Sequence, residues 1–225
     1  NKSVFSLLKY ANNSHLIRFS SKLENEEVEK FEYKTFTMNI PFLLGNYKNT
    51  PPPPKFNLEK LKNDKKKLNK KIKGILDPKK KNIGISWKGN KEHIADISRS
   101  IDLKIFSKIF KNQNCKFFAV DKNLTKRDKN YLKKFKNLVI CDELIDDWAD
   151  TATIVLQLDE LVTVDTSLGH IGGTLYKPTK ILIAKDPDWR WGIKGNKTEW
   201  YESVKLIRQS KKDCWLKELD GLNFR

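Results

Sequence analysis

The sequence predicts an α/β protein built on a Rossmann-like, doubly wound parallel sheet, and three observations predict it. Five short runs rich in β-branched and aromatic residues, at 82–87, 116–120, 138–141, 161–164 and 180–184, read as strands. Helical patterns at 103–110, 125–135, 150–158 and 168–176 fall between them. Strands alternating with helices of this length form βαβ units, whose crossovers lay the strands parallel and cover both faces of the sheet. Finally, polar turns containing glycine follow the first and fourth of these strands, at the end of an open α/β sheet where ligands bind.

The chain divides at four consecutive prolines, 51–54, which impose an extended segment belonging to neither helix nor central strand. Residues 1–54 hold a helical stretch at 3–10, a strand-like run at 15–20 and a mixed run at 31–44. That is too little for a domain and reads as the remnant of a larger α/β domain. Because the sequence starts at Asn1 and its only methionine is Met38, we expect a fragment. Over 55–81, Leu58, Leu61, Leu68, Ile72 and Ile75 recur at helical spacing among lysines, with Gly74 as a stop. This predicts a basic connector helix packed across a domain junction. Its apolar stripe is narrow and carries no Trp or Phe after Phe56, which disfavours a membrane-surface helix. Residues 82–225 form the regular α/β domain, and no internal repeat is visible.

Composition narrows the function classes. Hydrophobic residues make up 38% of the 225, with six Trp, which suffices for a packed core. No run approaches the roughly 18 apolar residues of a spanning helix. Cys115, Cys141 and Cys214 are odd in number and lack metal-ligand spacing, so a reducing cytoplasm is expected, with association at the inner face of the membrane left open. The net charge of +17 raises nucleic-acid binding. However, only six of the 45 basic residues are Arg, and residues 55–81 hold twelve Lys against Glu59, Asp64 and Asp77. The charge is concentrated in one segment, and nucleic acid is the weakest of the readings considered.

The strongest candidate site runs from the fourth strand through Asp165, Thr166 and Ser167 into a helix carrying Gly169 and His170. A helix N-terminus offers unpaired N–H groups and partial positive charge, Thr166 and Ser167 add hydroxyls, and Gly169 removes bulk. Together these make a seat for phosphate, with His170 one turn inside as a further donor and Gly172 and Gly173 letting the helix approach the sheet. An ordinary N-cap at Asp165 or Thr166, with a core histidine, is the alternative. A second cluster follows the first strand: Ser86, Trp87, Lys88, Gly89, Asn90, then His93, Asp96, Arg99 and Ser100. Lys88 and Arg99 would neutralise phosphate, and Gly89 would let backbone N–H groups reach the ligand. A third cluster, Asp186-Pro-Asp-Trp-Arg-Trp-Gly192 with Trp200 and Tyr201, suits either stacking or packing, and packing is favoured. Its two Asp flanking a Pro read as a turn more readily than as a divalent-metal pair, so no metal site is expected.

In this order, Ile83-Gly-Ile-Ser-Trp-Lys-Gly-Asn90, Arg99-Ser-Ile101, Asp150-Thr-Ala152, Val162-Thr-Val-Asp-Thr166, His170, Lys177-Pro178, Asp188-Trp-Arg-Trp191, Trp200-Tyr201 and Arg208-Gln209 resemble the C-terminal domain of glycosyltransferase family 9-like proteins. These are heptosyltransferase-like, bacterial, and often attached to tetratricopeptide repeats. The resemblance spans about 82–222 and extends weakly upstream to 36–44. It implies the C-terminal half of a two-domain GT-B glycosyltransferase with a partial N-terminal domain. It further implies an ADP- or UDP-linked sugar donor, no separate cofactor, and a glycan, lipid-linked or protein acceptor bound mainly by the N-terminal domain of the same protein. The resemblance places Asp165, Thr166, Ser167 and His170 beside the donor phosphates. Lys88 departs from the small residue the family has between Trp87 and Gly89. The catalytic base is not identifiable, and the chain alone is expected to transfer sugar poorly. A non-catalytic nucleotide-sugar-binding or interaction module is the competing reading.

Overall fold

The computed structural model describes residues 6–11, 54–90, 92, 96–122, 124–212 and 214–224. In chain order its elements are α1 (Leu58–Asp64), α2 (Lys66–Ile75), β1 (Lys81–Ser86), α3 (Asp96–Arg99), α4 (Leu103–Phe106), a 3-10 turn (Ser107–Lys111), β2 (Cys115–Ala119), α5 (Lys126–Leu132), β3 (Leu138–Ile140), α6 (Trp148–Gln157), β4 (Glu160–Val164), α7 (Ser167–Thr174), β5 (Thr179–Ile183), β6 (Val204–Arg208) and α8 (Leu216–Asp220). The six strands form one sheet in the order β3-β2-β1-β4-β5-β6, parallel throughout. This is the doubly wound α/β order, with its switch point between β1 and β4. The expectations at 15–20, at 31–44 and at His93 lie outside the described residues.

Strand side chains alternate between two apolar clusters. Phe117, Ile83, Ile85, Val162 and Val164 pack under α4, α5 and α8 with Trp87, Phe106 and Trp215. Phe118 and Leu161 face the other way, onto α6 and α7, with Ala152, Val155, Leu168 and Ile171. Burial on both faces explains why these strands read as continuous hydrophobic runs. Two helices start on reciprocal caps: Thr125 with Asp128 for α5, and Asp147 with Asp150 for α6.

Three differences from the sequence reading have clear causes. β6 adds a sixth strand to the five that the sequence predicts: it is an edge strand of five residues with charged Lys205 and Arg208, and its alternation is too short to stand out. The helix read over 55–81 is two helices broken at Lys65. The Lys65 ammonium there meets the Asp150 carboxylate at 2.7 Å and that of Asp147 at 3.4 Å, fixing α1 and α2 against α6 while Leu61 and Ile72 bury completely. Gly169 does not thin the helix toward a ligand. A Cβ there would lie 2.7 Å from Ile181 Cδ1, so this glycine permits contact between α7 and the sheet.

Beyond β5 the chain crosses to β6 through a turn held by one side chain. Arg208 donates to the carbonyls of Trp191 (2.6 Å), Gly192 (2.9 Å), Lys194 (3.1 Å) and Gly195 (2.5 Å). Gly192 and Gly195 adopt positive φ there, at 58° and 78°, a conformation that costs glycine little.

The packing of α7 against the sheet is testable at Gly172, where a Cβ would sit 2.4 Å from Thr179 Oγ1 and 2.7 Å from Leu161 Cδ1. The Thr179 hydroxyl is committed to the Lys177 carbonyl at 2.8 Å and cannot turn away freely. Overpacking costs about 1–3 kcal/mol and exceeds the gain of up to about 1 kcal/mol in helix propensity. Gly172→Ala is therefore expected to lose about 1–2 kcal/mol of stability, read as a lower midpoint in a urea titration.

Candidate functional site

β1 and β4 pair directly, with Ser86 opposite Thr163, so the turns that follow them leave the sheet side by side. The chain leads from β1 toward β2 and from β4 toward β5, in opposite directions, and a crevice opens between the two turns. The two clusters singled out in the sequence are these turns.

The β1 turn is held by its own polar network. The Trp87 carbonyl accepts from Ile101 N at 2.8 Å, and Gly89 N donates to Ser100 Oγ at 2.9 Å. Ser100 Oγ donates to Asp96 Oδ1 at 2.9 Å, and Arg99 Nε approaches the same oxygen at 3.3 Å. Arg99 then reaches across the crevice, its Nη1 donating to the Asp165 carbonyl at 3.2 Å. One guanidinium thus ties the two turns together. Gly89 is required by this arrangement, since a Cβ would lie 2.3 Å from Asp96 Oδ1 and 2.5 Å from Arg99 Nη2. Its N–H serves Ser100 rather than a ligand. Asn90 is exposed and its side chain closes a local turn onto Glu92 N at 3.1 Å.

On the β4 side, Thr166 is the N-cap residue of α7 in extended conformation, yet no side chain caps the helix. The hydroxyls explain this. Thr163 Oγ1 donates its proton to the Val164 carbonyl at 2.9 Å, so in its contact with Thr166 Oγ1, at 3.1 Å, the proton comes from Thr166. The Thr166 hydroxyl is thereby spent within the protein, contrary to its expected role as a ligand donor. Ser167 is exposed at the first position of the helix. In the uncapped first turn of α7, Gly169 N donates to the Thr166 carbonyl at 3.0 Å, which leaves the N–H groups of Ser167 and Leu168, with the helix dipole, for an anion.

His170, one turn into α7, stacks on Trp191 with centroids 5.0 Å apart and an interplanar angle of 25°, and its Nδ1 lies 3.0 Å from the Tyr201 hydroxyl. Burial pushes its pKa below the usual imidazole value, and nearby Arg190 adds to this against the opposing pull of Asp165 and Asp188. A neutral ring that accepts the Tyr201 proton at Nδ1 carries its own hydrogen on Nε2, as a donor.

The two turns border a cavity of about 150 Å³ that is also lined by Ala184, Asp186, Asp188 and Arg190. That is below the roughly 300 Å³ of a complete small-molecule pocket, so it takes one part of a ligand while the remainder lies along the open crevice. Arg190 brings a second guanidinium to this cavity. Its Nε is 2.7 Å from Asp188 Oδ1, which raises the Arg190 pKa and holds the Asp188 carboxyl below its usual value. Asp188 also caps the 3-10 turn Trp189–Trp191, and Asp186 pairs with Lys212 at 3.2 Å. Both aspartates serve turn and ion-pair roles, and no group of three His, Cys, Asp or Glu suited to a metal occurs among the described residues.

Lys88 departs furthest from its expected role. Its ammonium is 2.5 Å from Asp128 Oδ2, in the cap of α5, and lies over the Trp87 ring rather than in the crevice. Beside it stands a residue outside the clusters that the sequence singles out. Asp121, just beyond β2, accepts from Ser86 Oγ at 2.6 Å through one oxygen, and its other oxygen is buried without a partner. Burial drives its pKa up to about 7, against the lowering influence of Ser86 and Lys88. The rule applied to β1 and β4, that polar residues at a strand's carboxyl end are candidates, would have found it. Arg190 is visible in the sequence, but its aromatic neighbours favour packing there.

No protein-family model matches the chain, and no curated protein matches it. Among solved structures it is similar to the glycosyl transferase family 9 protein from Veillonella parvula DSM 2008, with 10% sequence identity and a TM-score of 0.47, over 72% of this chain and 44% of that one. The chain thus spans less than half the length of that protein. No described helix is long and apolar enough to cross a membrane.

The Asp121 carboxyl gives the site a pH signature. With the folded pKa raised from 3.8 to about 7, the native state holds a proton that the unfolded chain releases. Its contribution to stability is therefore full below about pH 4 and lost as pH rises to about 7. Asp121→Asn keeps the acceptor for Ser86 and has no charge to desolvate. The variant is expected to melt several degrees above wild type at pH 8 and to lose the slope between pH 4 and 7 in a thermal-melt series.

Proposed function

We propose that the chain is the donor-binding portion of a glycosyltransferase of GT-B type, which takes an ADP- or UDP-linked sugar and transfers the sugar without a metal ion. The observation that carries this reading is the crevice at the switch point, where the uncapped end of α7 and the Arg99 guanidinium converge from two turns joined by the Arg99–Asp165 contact. An anion seated there meets backbone N–H groups, the Ser167 hydroxyl and a fixed positive charge. The ordered sequence motifs described above add the sugar-nucleotide class to this anion site.

In this reading the diphosphate lies against the first turn of α7, with His170 Nε2 as a neutral donor and Arg99 as the charge. Arg190, across the 150 Å³ cavity, joins them as a residue added by the structure. Asp165, 8% exposed at the base of the cavity, accepts a hydroxyl of the sugar. As the bond between sugar and phosphate breaks, negative charge builds on the departing diphosphate. These donors, fixed before the reaction, stabilise that charge without reorganisation. Lys88 and Gly89 act by shaping the β1 turn. The acceptor hydroxyl and its base belong to the complete protein, and without them the proximity term that makes transfer fast is missing.

Calorimetric titration with ADP and UDP, beside a donor-turnover assay, tests the reading. Binding of at least one nucleotide is expected, with slow or undetectable transfer. Arg99→Ala and His170→Ala should each weaken binding by about tenfold or more, a charge-assisted hydrogen bond contributing roughly 1.5–3 kcal/mol. Failure of both nucleotides to bind removes the donor-site assignment. Tight binding unaffected by either substitution moves the nucleotide to another part of the surface.

A further inference from the structure

The side of the molecule formed by α2 points to a partner outside the nucleotide reading. The ten residues of α2, KKLNKKIKGI, contain five lysines and no acidic residue. Leu68, Ile72 and Ile75 turn inward to the apolar cluster shared with α6. Lys66, Lys67, Lys70, Lys71 and Lys73 are all exposed; at 3.6 residues per turn Lys66, Lys70 and Lys73 lie opposite the apolar side, and Lys67 and Lys71 flank it. Lys65, at the break before α2, is neutralised by Asp147 and Asp150, so the five exposed ammonium groups lie beyond the ion pairs that anchor the helix.

We infer that this lysine face docks the protein on an anionic lipid surface through electrostatic attraction alone. Three observations favour that occupant. The face is the convex side of a straight helix about 15 Å long, a shape that lies against a plane of headgroups. It carries no arginine and no aromatic side chain, the residues that read or stack on nucleic acid, only the compact charges that suit phosphate headgroups. The apolar stripe of α2 is already buried against α6, so nothing on the helix is free to insert into a bilayer. Attachment is therefore peripheral, additive over the lysines and sensitive to salt. The face runs from Lys65, beside the start of α6, to Ile75, whose carbonyl accepts from Lys116 Nζ at the start of β2. A docked surface thus lies along α2, between the start of α6 and the start of β2.

The test is co-sedimentation of the full chain with vesicles of phosphatidylcholine, alone or mixed with phosphatidylglycerol, across a salt series. Partition onto the mixed vesicles at low salt is expected, with little onto phosphatidylcholine. Lys66→Gln, Lys70→Gln and Lys73→Gln combined should lower it about a hundredfold, each lysine near an anionic surface being worth about fivefold. The control combines Lys104→Gln, Lys133→Gln and Lys136→Gln, exposed lysines on the α4 and α5 side of the sheet, at the same net charge. It should retain most of the binding. Gln keeps helix propensity at these exposed positions, and circular dichroism checks that both variants are folded. The inference is overturned by absence of binding to mixed vesicles at low salt, or by equal loss in the two triple variants, which makes net charge the cause. Tighter binding of short duplex DNA than of mixed vesicles at matched salt, lost with the same α2 lysines, also overturns it and assigns the face to nucleic acid.

Discussion

The parallel pairing of β1 with β4 is the constraint on which the rest of the site depends. Setting Ser86 beside Thr163 places the two strand ends next to each other, although 77 residues separate them in the chain. Crossovers that then leave in opposite directions cannot close over the gap, so the end of the sheet stays open there. Arg99 spans that opening on a single hydrogen bond to the Asp165 carbonyl, and its own position depends on Asp96, Ser100 and the absence of a side chain at Gly89. The crevice, the exposed end of α7 and the guanidinium between them all follow from which two strands are neighbours.

Parts of this were legible in the sequence because they are local. The buried strands announce themselves as apolar runs, since a sheet covered on both faces has no polar side to interrupt them. The turn through Asp165 and Ser167 could be placed at a strand's end without knowing the strand order. What the sequence could not supply is who holds whom. Lys88 and Arg99 look alike as cations in one loop, yet one is claimed by Asp128 of a later helix and the other by the backbone of a distant turn. Thr166 and Ser167 look alike as hydroxyls, and only the chain of donors through Thr163 separates the occupied one from the free one. Gly169 looked like a vacancy beside a ligand but faces Ile181.

The same distinction applies to charge. An aspartate in a turn is ordinarily solvated, and the place of Asp121 after a strand's end makes it a candidate without showing that it is buried. Its unusual position comes from β1 and β2 together, which bury it beside Ser86 and leave one oxygen without a partner. Conversely, the lysines in and before α2 are conspicuous in the sequence, but their division into the anchoring Lys65 and an outward row depends on α6 lying beneath them.

Arg208 shows what one side chain can do for a turn that has no ladder of its own. By donating to four backbone carbonyls between Trp191 and Gly195, it fixes the segment that places Trp191 against His170. The conformational freedom of that segment is surrendered when the chain folds, not when a ligand arrives. The aromatic wall behind His170 is thus preorganised, and association at the crevice does not carry the entropic cost of ordering it.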